Sequence, residues 1–227
     1  MANSISKRNR NNSGNGTARS RARAEIANSR NLATSAAGEN RTPRRVISVF
    51  GSSRAQEGSE LYTEALRVGR LLGQSGFDVM TGGYSGVMEA ASRGAHETGA
   101  HVIGIAMRVF GETVNPYVID EVTVRDFPGR LRQLVDMVDG YVVMRGGMGT
   151  LAELTWAWQK LWLKMLPARP FVLLGHHWRR VLDSWLENLI VDPTDYKCMT
   201  LVDTPEQASA FLTEYFSRPS APAPLSK

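Results

Sequence analysis

Three short apolar runs in this chain each lead into a loop that contains glycine, and each loop is followed by residues with helical spacing. The runs and their loops cover residues 46–53, 77–86 and 140–150. Strands that alternate with helices need crossover connections, which place helices on both faces of a mostly parallel sheet. The sequence therefore predicts a single α/β domain built on a doubly wound, Rossmann-like parallel sheet.

The same alternation continues to residue 216 and sets the expected limits of the domain. Further strands are predicted at 101–106, within 118–124 and at 171–174, and further helices around 131–138 and at 150–165, 178–190 and 205–216. We place the folded domain at residues 45–216. Residues 1–44 and 217–227 are expected to be disordered tails, because the first is poor in large apolar residues and the second is rich in proline.

The formal net charge of +5 comes from the N-terminal tail. Residues 1–45 contain ten Lys and Arg and two Glu, whereas the remaining 182 residues carry 17 basic and 20 acidic side chains. A basic tail of this kind is usually solvated. A nucleic-acid-binding arm and an organelle transit peptide are the alternatives. The folded body is slightly acidic, so nucleic acid is not an expected partner of the domain.

Several classes of protein are excluded by what the sequence lacks. No run of about 18 apolar residues is present, so we expect no membrane span and a soluble, cytoplasmic protein. Cys198 is the single cysteine, which excludes an internal disulfide and a multi-cysteine zinc site. His96, His101, His176 and His177 lack the spacing of a metal-binding motif. We therefore expect no metal and no cofactor.

The loop at residues 146–150 is predicted to hold a phosphate group. Gly146, Gly147 and Gly149 let backbone N–H groups approach an anion, and the dipole of the following helix favours negative charge at its N-terminus. Ligands of doubly wound sheets lie outside the carboxyl ends of the strands, where all three glycine loops are placed. The three loops are therefore expected to converge on one site.

The chemistry of these loops favours a mononucleotide over other phosphate ligands. None of the five lysines lies in a glycine loop, which argues against a Walker-type phosphate loop and a pyridoxal enzyme. The first loop, residues 51–54, does not match the G-x-G-x-x-G dinucleotide fingerprint. Ser52, Ser53 and Thr150 supply hydroxyl groups that suit phosphate and ribose oxygens.

Charged side chains near the loops are candidates for catalysis, and each has a structural alternative. Glu153 lies three residues after Thr150, so it either completes a Thr-x-x-Glu capping box or faces the ribose of a nucleotide and stabilises an oxocarbenium-like centre. Arg130 and Arg132 lie either on a solvated helix face or against a phosphate. Spacing alone leaves both pairs of alternatives open.

The helix predicted at residues 150–165 is apolar on more than one face. Trp156 and Trp162 lie away from its main apolar stripe, so the helix needs burial on several sides. This pattern predicts either a contact between two copies in a homodimer or packing beneath the C-terminal helices.

Taken together, the three loops resemble those of the Lonely Guy (LOG) family. The matching segments are Gly51-Ser52-Ser53, Thr81-Gly82-Gly83-Tyr84-Ser85-Gly86-Val87-Met88 and Gly146-Gly147-Met148-Gly149-Thr150-Leu151-Ala152-Glu153. Members of the family are similar to cytokinin-activating phosphoribohydrolases, which split a nucleoside 5′-monophosphate into free base and ribose 5-phosphate. The resemblance therefore implies a hydrolase that acts on AMP-like nucleotides.

The resemblance also implies the roles of individual residues. It makes Arg130 and Glu153 the catalytic pair, and it makes the following residues the substrate- and phosphate-binding set: Gly51, Ser52, Ser53, Gly82, Gly83, Gly86, Met88, Gly146, Gly147, Gly149 and Thr150.

This chain departs from the family pattern in two places. Arg145 stands where the family usually has proline, and Phe-Pro-Gly-Arg-Leu at 127–131 replaces Met-His-x-Arg-Lys. Proteins that resemble the molybdenum cofactor carriers share the fold and the glycine loops but bind their ligand without splitting it. A non-catalytic carrier of a nucleotide or of molybdopterin is therefore the alternative function.

Overall fold

Seven parallel strands form one sheet in the computed structural model, which describes residues 44–107, 111 and 113–218. The strands are β1 (Val46–Phe50), β2 (Asp78–Thr81), β3 (Val102–Met107), β4 (Asp120–Val124), β5 (Gly140–Val143), β6 (Phe171–Leu174) and β7 (Thr200–Val202). Their order is β4-β3-β2-β1-β5-β6-β7, and every neighbouring pair is parallel. The predicted α/β fold is confirmed. The expectations for residues 1–43 and 219–227 lie outside the described residues.

Six α-helices in the described part of the chain connect or follow these strands. They are α1 (Glu60–Gln74), α2 (Val87–His96), α3 (Phe127–Asp136), α4 (Met148–Trp162), α5 (His177–Asn188) and α6 (Pro205–Ser217), with a 3₁₀ helix at Pro193–Cys198. None of the helices in the described part of the chain is long and apolar enough to cross a bilayer.

The helices cover both faces of the sheet and create two apolar cores. Ile47 and Val49 of β1 point into the core shared with α1, α2 and α6, whereas Val46 and Phe50 point into the core shared with α3, α4 and α5. Successive strand residues face opposite sides of a sheet, and here both sides are covered. This explains why all five residues of β1 are buried although the run does not alternate in polarity.

The position of β1 fixes the place where a ligand is expected. β1 pairs with β2 on one side and with β5 on the other, so the strand order reverses direction between β1 and β5. The pairing ends with Phe50 opposite Val143, and both strands then continue into glycine loops. In open parallel sheets this reversal leaves a crevice at the carboxyl ends of the strands.

Two helical glycines let α1 and α2 pack closely. A Cβ atom on Gly94 of α2 would lie 2.1 Å from the carbonyl oxygen of Leu66, and one on Gly69 of α1 would lie 2.0 Å from that of Ala91. Both contacts are to backbone, which cannot rotate away as a side chain can. The two helices therefore touch through their main chains.

The structure differs from the sequence prediction at three elements. α3 begins at Phe127 rather than around residue 131, because the Asp126 side chain caps it by accepting a hydrogen bond from the N–H of Gly129, and Pro128 lies in its first turn. The 3₁₀ helix and β7 were not predicted. β7 has only three residues, too few for a hydrophobic period to be recognised.

Of the two alternatives for α4, the structure shows packing beneath the C-terminal segments, and the homodimer stays a prediction. Trp158 stacks on Trp185 of α5 and on Tyr196 at ring-centroid distances of 6.0 and 5.1 Å, so one face packs beneath the C-terminal segments. Trp162, at the end of the helix, is 56% exposed, although its indole N–H donates to Asp195. The apolar character of α4 is thus only partly satisfied within the described part of the chain.

Candidate functional site

The backbone of Ser52 joins the three glycine loops. Its N–H donates to the carbonyl of Arg145 at 3.2 Å, and its carbonyl accepts from the N–H of Val87, the first residue of α2, at 2.9 Å. The loops after β1, β2 and β5 are therefore held against one another by main-chain hydrogen bonds. Their convergence at the carboxyl edge of the sheet is as the sequence indicated.

The glycine at residue 86 is required for this close approach. Gly86 has a φ of +74°, and a Cβ atom there would lie 2.4 Å from the carbonyl oxygen of Ser52 and 2.6 Å from the carbonyl carbon of Ser53. The Ser85 hydroxyl then donates to the carbonyl of Ser53 at 3.2 Å. Only a residue without a side chain can bring the second loop this near the first.

The third loop leads into α4 without a side-chain cap. Gly147 is the N-cap residue and α4 begins at Met148, so Thr150 and Glu153 both lie inside the helix. The capping-box alternative for Thr150 and Glu153 is therefore wrong. The first-turn N–H groups of α4 lack a capping side chain, which leaves the helix N-terminus suited to an anionic ligand.

Thr150 is held close to Gly146 at the start of the helix. A Cβ atom on Gly146 would lie 2.0 Å from Oγ1 of Thr150, and Thr150 is only 3% exposed. The lack of a side chain at Gly146 therefore makes room for the threonine hydroxyl beside the helix N-terminus.

Arg130 is buried in the site rather than exposed on a helix face. It is 5% exposed, its Nη1 donates to the carbonyl of Ile105, and its Cζ lies 5.1 Å from the ring centroid of Tyr84. The Tyr84 hydroxyl accepts a hydrogen bond from the N–H of Met107 at 2.8 Å, which fixes the ring. The solvated-face alternative is wrong for Arg130, whereas Arg132 is exposed.

Glu153 and Arg130 alter each other's ionisation. Loss of hydration raises the pKa of the Glu153 carboxyl to about 8, and the positive charge of Arg130 opposes this rise. Burial lowers the pKa of the Arg130 guanidinium, and the negative charge of Glu153 opposes that fall. A carboxyl group with a pKa near 8 can accept or donate a proton close to neutral pH.

These residues surround one cavity of about 690 Å³. Ten of the thirteen residues singled out from the sequence line it: Gly51, Ser52, Ser53, Met88, Arg130, Gly146, Gly147, Gly149, Thr150 and Glu153. A volume of this size is typical of a site for a small molecule such as a nucleotide.

The other three singled-out residues, Gly82, Gly83 and Gly86, do not line the cavity. Gly82 makes room for Arg130, since a Cβ there would lie 2.1 Å from Nη2 of that residue. Gly83 has a φ of +82° and its carbonyl accepts hydrogen bonds from both the main-chain and side-chain nitrogens of Asn115. These glycines shape the walls around the site rather than its surface.

Six residues that line the cavity were not chosen from the sequence: Arg54, Leu61, Tyr84, Phe127, Arg145 and Met148. Arg54, Tyr84 and Arg145 stand within or beside the glycine loops, so their neighbourhood in sequence was a usable signal. Phe127 and Leu61 come from helix starts distant in sequence, and no local pattern marks them. Among the described residues no group of histidine, cysteine or carboxylate side chains is arranged to hold a metal ion.

Comparison with known proteins finds relatives that carry the same enzyme name. A probable cytokinin riboside 5′-monophosphate phosphoribohydrolase of Oryza sativa subsp. japonica is 28% identical over 195 residues, covering 83% of this chain and 85% of the relative. A cytokinin riboside 5′-monophosphate phosphoribohydrolase of Mycobacterium tuberculosis is 30% identical over 161 residues, covering 66% of this chain and 84% of the relative.

Solved structures share the fold. The molybdenum cofactor binding protein of Rippkaea orientalis superimposes with a TM-score of 0.61 at 22% identity, covering 77% of this chain and 98% of that protein. The sequence model of the SLOG cluster4 family matches residues 44–167, a stretch that contains all three glycine loops, Arg130 and Glu153. With LOG-type phosphoribohydrolases among its relatives, the chain belongs to the SLOG cluster4 family.

Proposed function

We propose that this protein is a nucleoside 5′-monophosphate phosphoribohydrolase. The observation that carries the proposal is that the Glu153 carboxyl, with its pKa raised to about 8, and the buried Arg130 line the same cavity as an uncapped helix N-terminus. The names of the relatives support the same substrate class.

The 5′-phosphate would lie at the N-terminus of α4. Backbone N–H groups there, beside Gly147 and Gly149, favour an anion, and the Thr150 hydroxyl is adjacent to them. Ser52 and Ser53 bring two further hydroxyl groups from the first loop, which the main chain ties to the third. A phosphate in this position directs the ribose towards Glu153, one turn further along the helix.

Hydrolysis breaks the bond between C1′ of the ribose and the base nitrogen, and forms a bond from C1′ to a water oxygen. The ionised Glu153 carboxylate would orient that water, take up its proton and stabilise the positive charge that develops at C1′. The departing base nitrogen gains a proton, so the products are free base and ribose 5-phosphate. Arg130 would help by favouring the ionised form of Glu153 and by positioning the phosphate or base.

The test is incubation of the purified full-length protein with a panel of nucleoside 5′-monophosphates, followed by measurement of ribose 5-phosphate. We expect release from at least one of them, and its loss in Glu153→Gln with nucleotide binding retained. Glu187→Gln, an exposed glutamate of α5 outside the cavity, is the matched control and should keep full turnover. Binding without release by the wild-type protein would instead favour the carrier function.

We also propose that the protein is a homodimer that uses the exposed apolar end of α4. Trp162, the last residue of α4, and Met165, just after it, are 56% and 55% exposed, and Ile190, just after α5, is 108% exposed. A second copy would bury these side chains. Sedimentation analysis should give a dimer for the wild type and a monomer for the Met165→Glu, Ile190→Asp double variant; a wild-type monomer would contradict the proposal.

A further inference from the structure

Two arginines at the entrance of the cavity have charges that the proposed hydrolysis does not use. Arg54 follows the first glycine loop, Arg145 precedes the third, and both side chains are exposed and line the cavity. Over residues 44–107, 111 and 113–218, neither guanidinium takes part in a hydrogen bond or ion pair. The hydrogen bonds of these two residues are made by the backbone: the Arg54 N–H donates to the Ser52 hydroxyl, and the Arg145 carbonyl accepts from the Ser52 N–H.

Those backbone contacts bring the two arginines to the same side of the cavity. Because Ser52 touches both residues through hydrogen bonds of 3.1 and 3.2 Å, the two side chains start from neighbouring points of the rim. Arg145 also lies two residues before the N-cap residue Gly147. Its guanidinium is therefore within reach of an anion placed at the helix N-terminus.

The residues that line the cavity carry an excess of positive charge near its entrance. Among residues 44–107, 111 and 113–218, three arginines and a single carboxylate, Glu153, line the cavity. Arg130 is buried and donates to the carbonyl of Ile105, and the charge of Glu153 acts on its guanidinium, so Arg130 belongs to the inner end of the cavity. The excess positive charge is left on Arg54 and Arg145.

The solvent exposure of the lining residues shows which of them lie at the inner end of the cavity and which lie at its entrance. Arg130 and Thr150 are 5% and 3% exposed, whereas Gly147 and Arg145 are exposed. A nucleotide with its ribose at Glu153 and its first phosphate at the helix N-terminus would therefore carry any further phosphate outward, to the two arginines. Guanidinium groups match phosphate oxygens with paired hydrogen bonds.

We propose that Arg54 and Arg145 form a subsite for a second phosphate, and that the protein binds nucleoside 5′-diphosphates more tightly than the corresponding monophosphates. The proposal rests on the proposed function, because that function places the first phosphate at the N-terminus of α4. Hydrolysis of such a substrate consumes one water and yields free base and ribose 5-diphosphate.

The test measures binding by calorimetry with the full-length Glu153→Gln protein, so that turnover does not consume the ligand. Adenosine, guanosine and cytidine mono- and diphosphates are compared as pairs, at low salt and at 0.15 M ionic strength, where exposed charges are partly screened. For the base that binds, we expect the diphosphate to bind about tenfold more tightly than the monophosphate at low salt. Adding Arg54→Gln and Arg145→Gln should bring this ratio to about one.

Arg132→Gln is the matched control. Arg132 is an exposed arginine of α3 that does not line the cavity, so its loss should leave the ratio unchanged. A diphosphate that binds no more tightly than the monophosphate overturns the proposal, as does a ratio that survives in the Arg54, Arg145 double variant.

The two proposals fail in different ways. A diphosphate preference together with no release of ribose 5-phosphate by the wild type would remove the hydrolysis and retain the subsite. Release from a monophosphate without any diphosphate preference would retain the hydrolysis and remove the subsite. Absence of binding by every nucleotide tested would overturn the subsite.

Discussion

The guanidinium of Arg130 occupies the space that a side chain at Gly82 would need, because a Cβ on Gly82 would lie 2.1 Å from Nη2 of Arg130. The same Cβ would lie 2.5 Å from the sulfur of Met88, another residue of the cavity. Gly82 itself does not line the cavity. Its part in the site is to leave room for the buried guanidinium of Arg130, whose charge acts on Glu153.

Replacing Gly82 with alanine should therefore displace Arg130 and lower activity. A displacement of about 1 Å in a catalytic group commonly costs on the order of 100-fold, and we expect a fall of that size in kcat/KM for the best monophosphate substrate. The measurement is steady-state release of ribose 5-phosphate, with circular dichroism to verify that the variant is folded.

A double-mutant cycle separates this effect from a general disturbance of the loop. If Gly82 acts only by making room for Arg130, then Gly82→Ala should cost nothing further in an Arg130→Ala background. Additive losses from the two substitutions would show that Gly82 has a role independent of Arg130.

The activity should depend on pH through Glu153. The carboxyl must be ionised to take a proton from water, and burial raises its pKa to about 8. kcat/KM should consequently rise about tenfold per pH unit below this value and level off above it. Measurements between about pH 6.5 and 9.5 avoid the second ionisation of the substrate phosphate, which lies near 6. A profile that falls across this range would instead assign Glu153 the role of a general acid.

The sequence predicted most of the fold and the three loops because both are recorded in local patterns. Apolar runs, glycines and helical spacing placed six of the seven described strands within a residue or two, and the expected chemistry of the third loop followed from its position before a helix. The burial of Arg130 could not be predicted in this way. It depends on Gly82, on the ring of Tyr84 and on the carbonyl of Ile105, which come together only in the folded domain.

The same limit applies to the entrance of the cavity. The sequence shows Arg145 as a departure from a family pattern, but its position near Arg54 follows from hydrogen bonds that both residues make with Ser52. Phe127 lines the cavity because the cap at Asp126 starts α3 earlier than apolar spacing suggests. In each case the missing information was a contact between segments remote in sequence.

Ionisation of the Glu153 carboxyl should lower the free energy of unfolding at alkaline pH. Its pKa is raised from the ordinary value of 4.5 to about 8, so the folded protein holds this proton more tightly than the unfolded chain does. The contribution of this carboxyl to the free energy of unfolding is complete below about pH 4.5 and is lost as the pH rises towards 8. Glu153→Gln, which cannot ionise, should have a Tm close to that of the wild type at about pH 5 and a higher Tm at about pH 9.

Glu187→Gln, which removes one exposed carboxylate of α5, controls for the general effect of a change in net charge. It should not reproduce the alkaline gain in Tm. An equal Tm for wild type and Glu153→Gln at both pH values would show that the Glu153 carboxyl keeps its ordinary pKa in the folded protein.

The contact between α1 and α2 predicts a loss of stability that involves no residue of the cavity. In Gly94→Ala, the new Cβ would meet the carbonyl oxygen of Leu66 at 2.1 Å and the backbone nitrogen of Arg70 at 2.8 Å. Because neither atom belongs to a flexible side chain, the helices must separate, and the cost should exceed the gain in helix propensity of about 1 kcal/mol. We expect a net loss of about 2 kcal/mol in the free energy of unfolding.

Gly149→Ala is the matched substitution, because Gly149 is also a helical glycine but has open space around its added Cβ. It should raise the free energy of unfolding, by less than the roughly 0.5–1 kcal/mol expected in a helix interior because Gly149 is the second residue of α4. Denaturant unfolding of both variants checks the pair, and opposite signs are expected. A Gly94→Ala protein as stable as Gly149→Ala would mean that α1 and α2 can move apart freely at this contact.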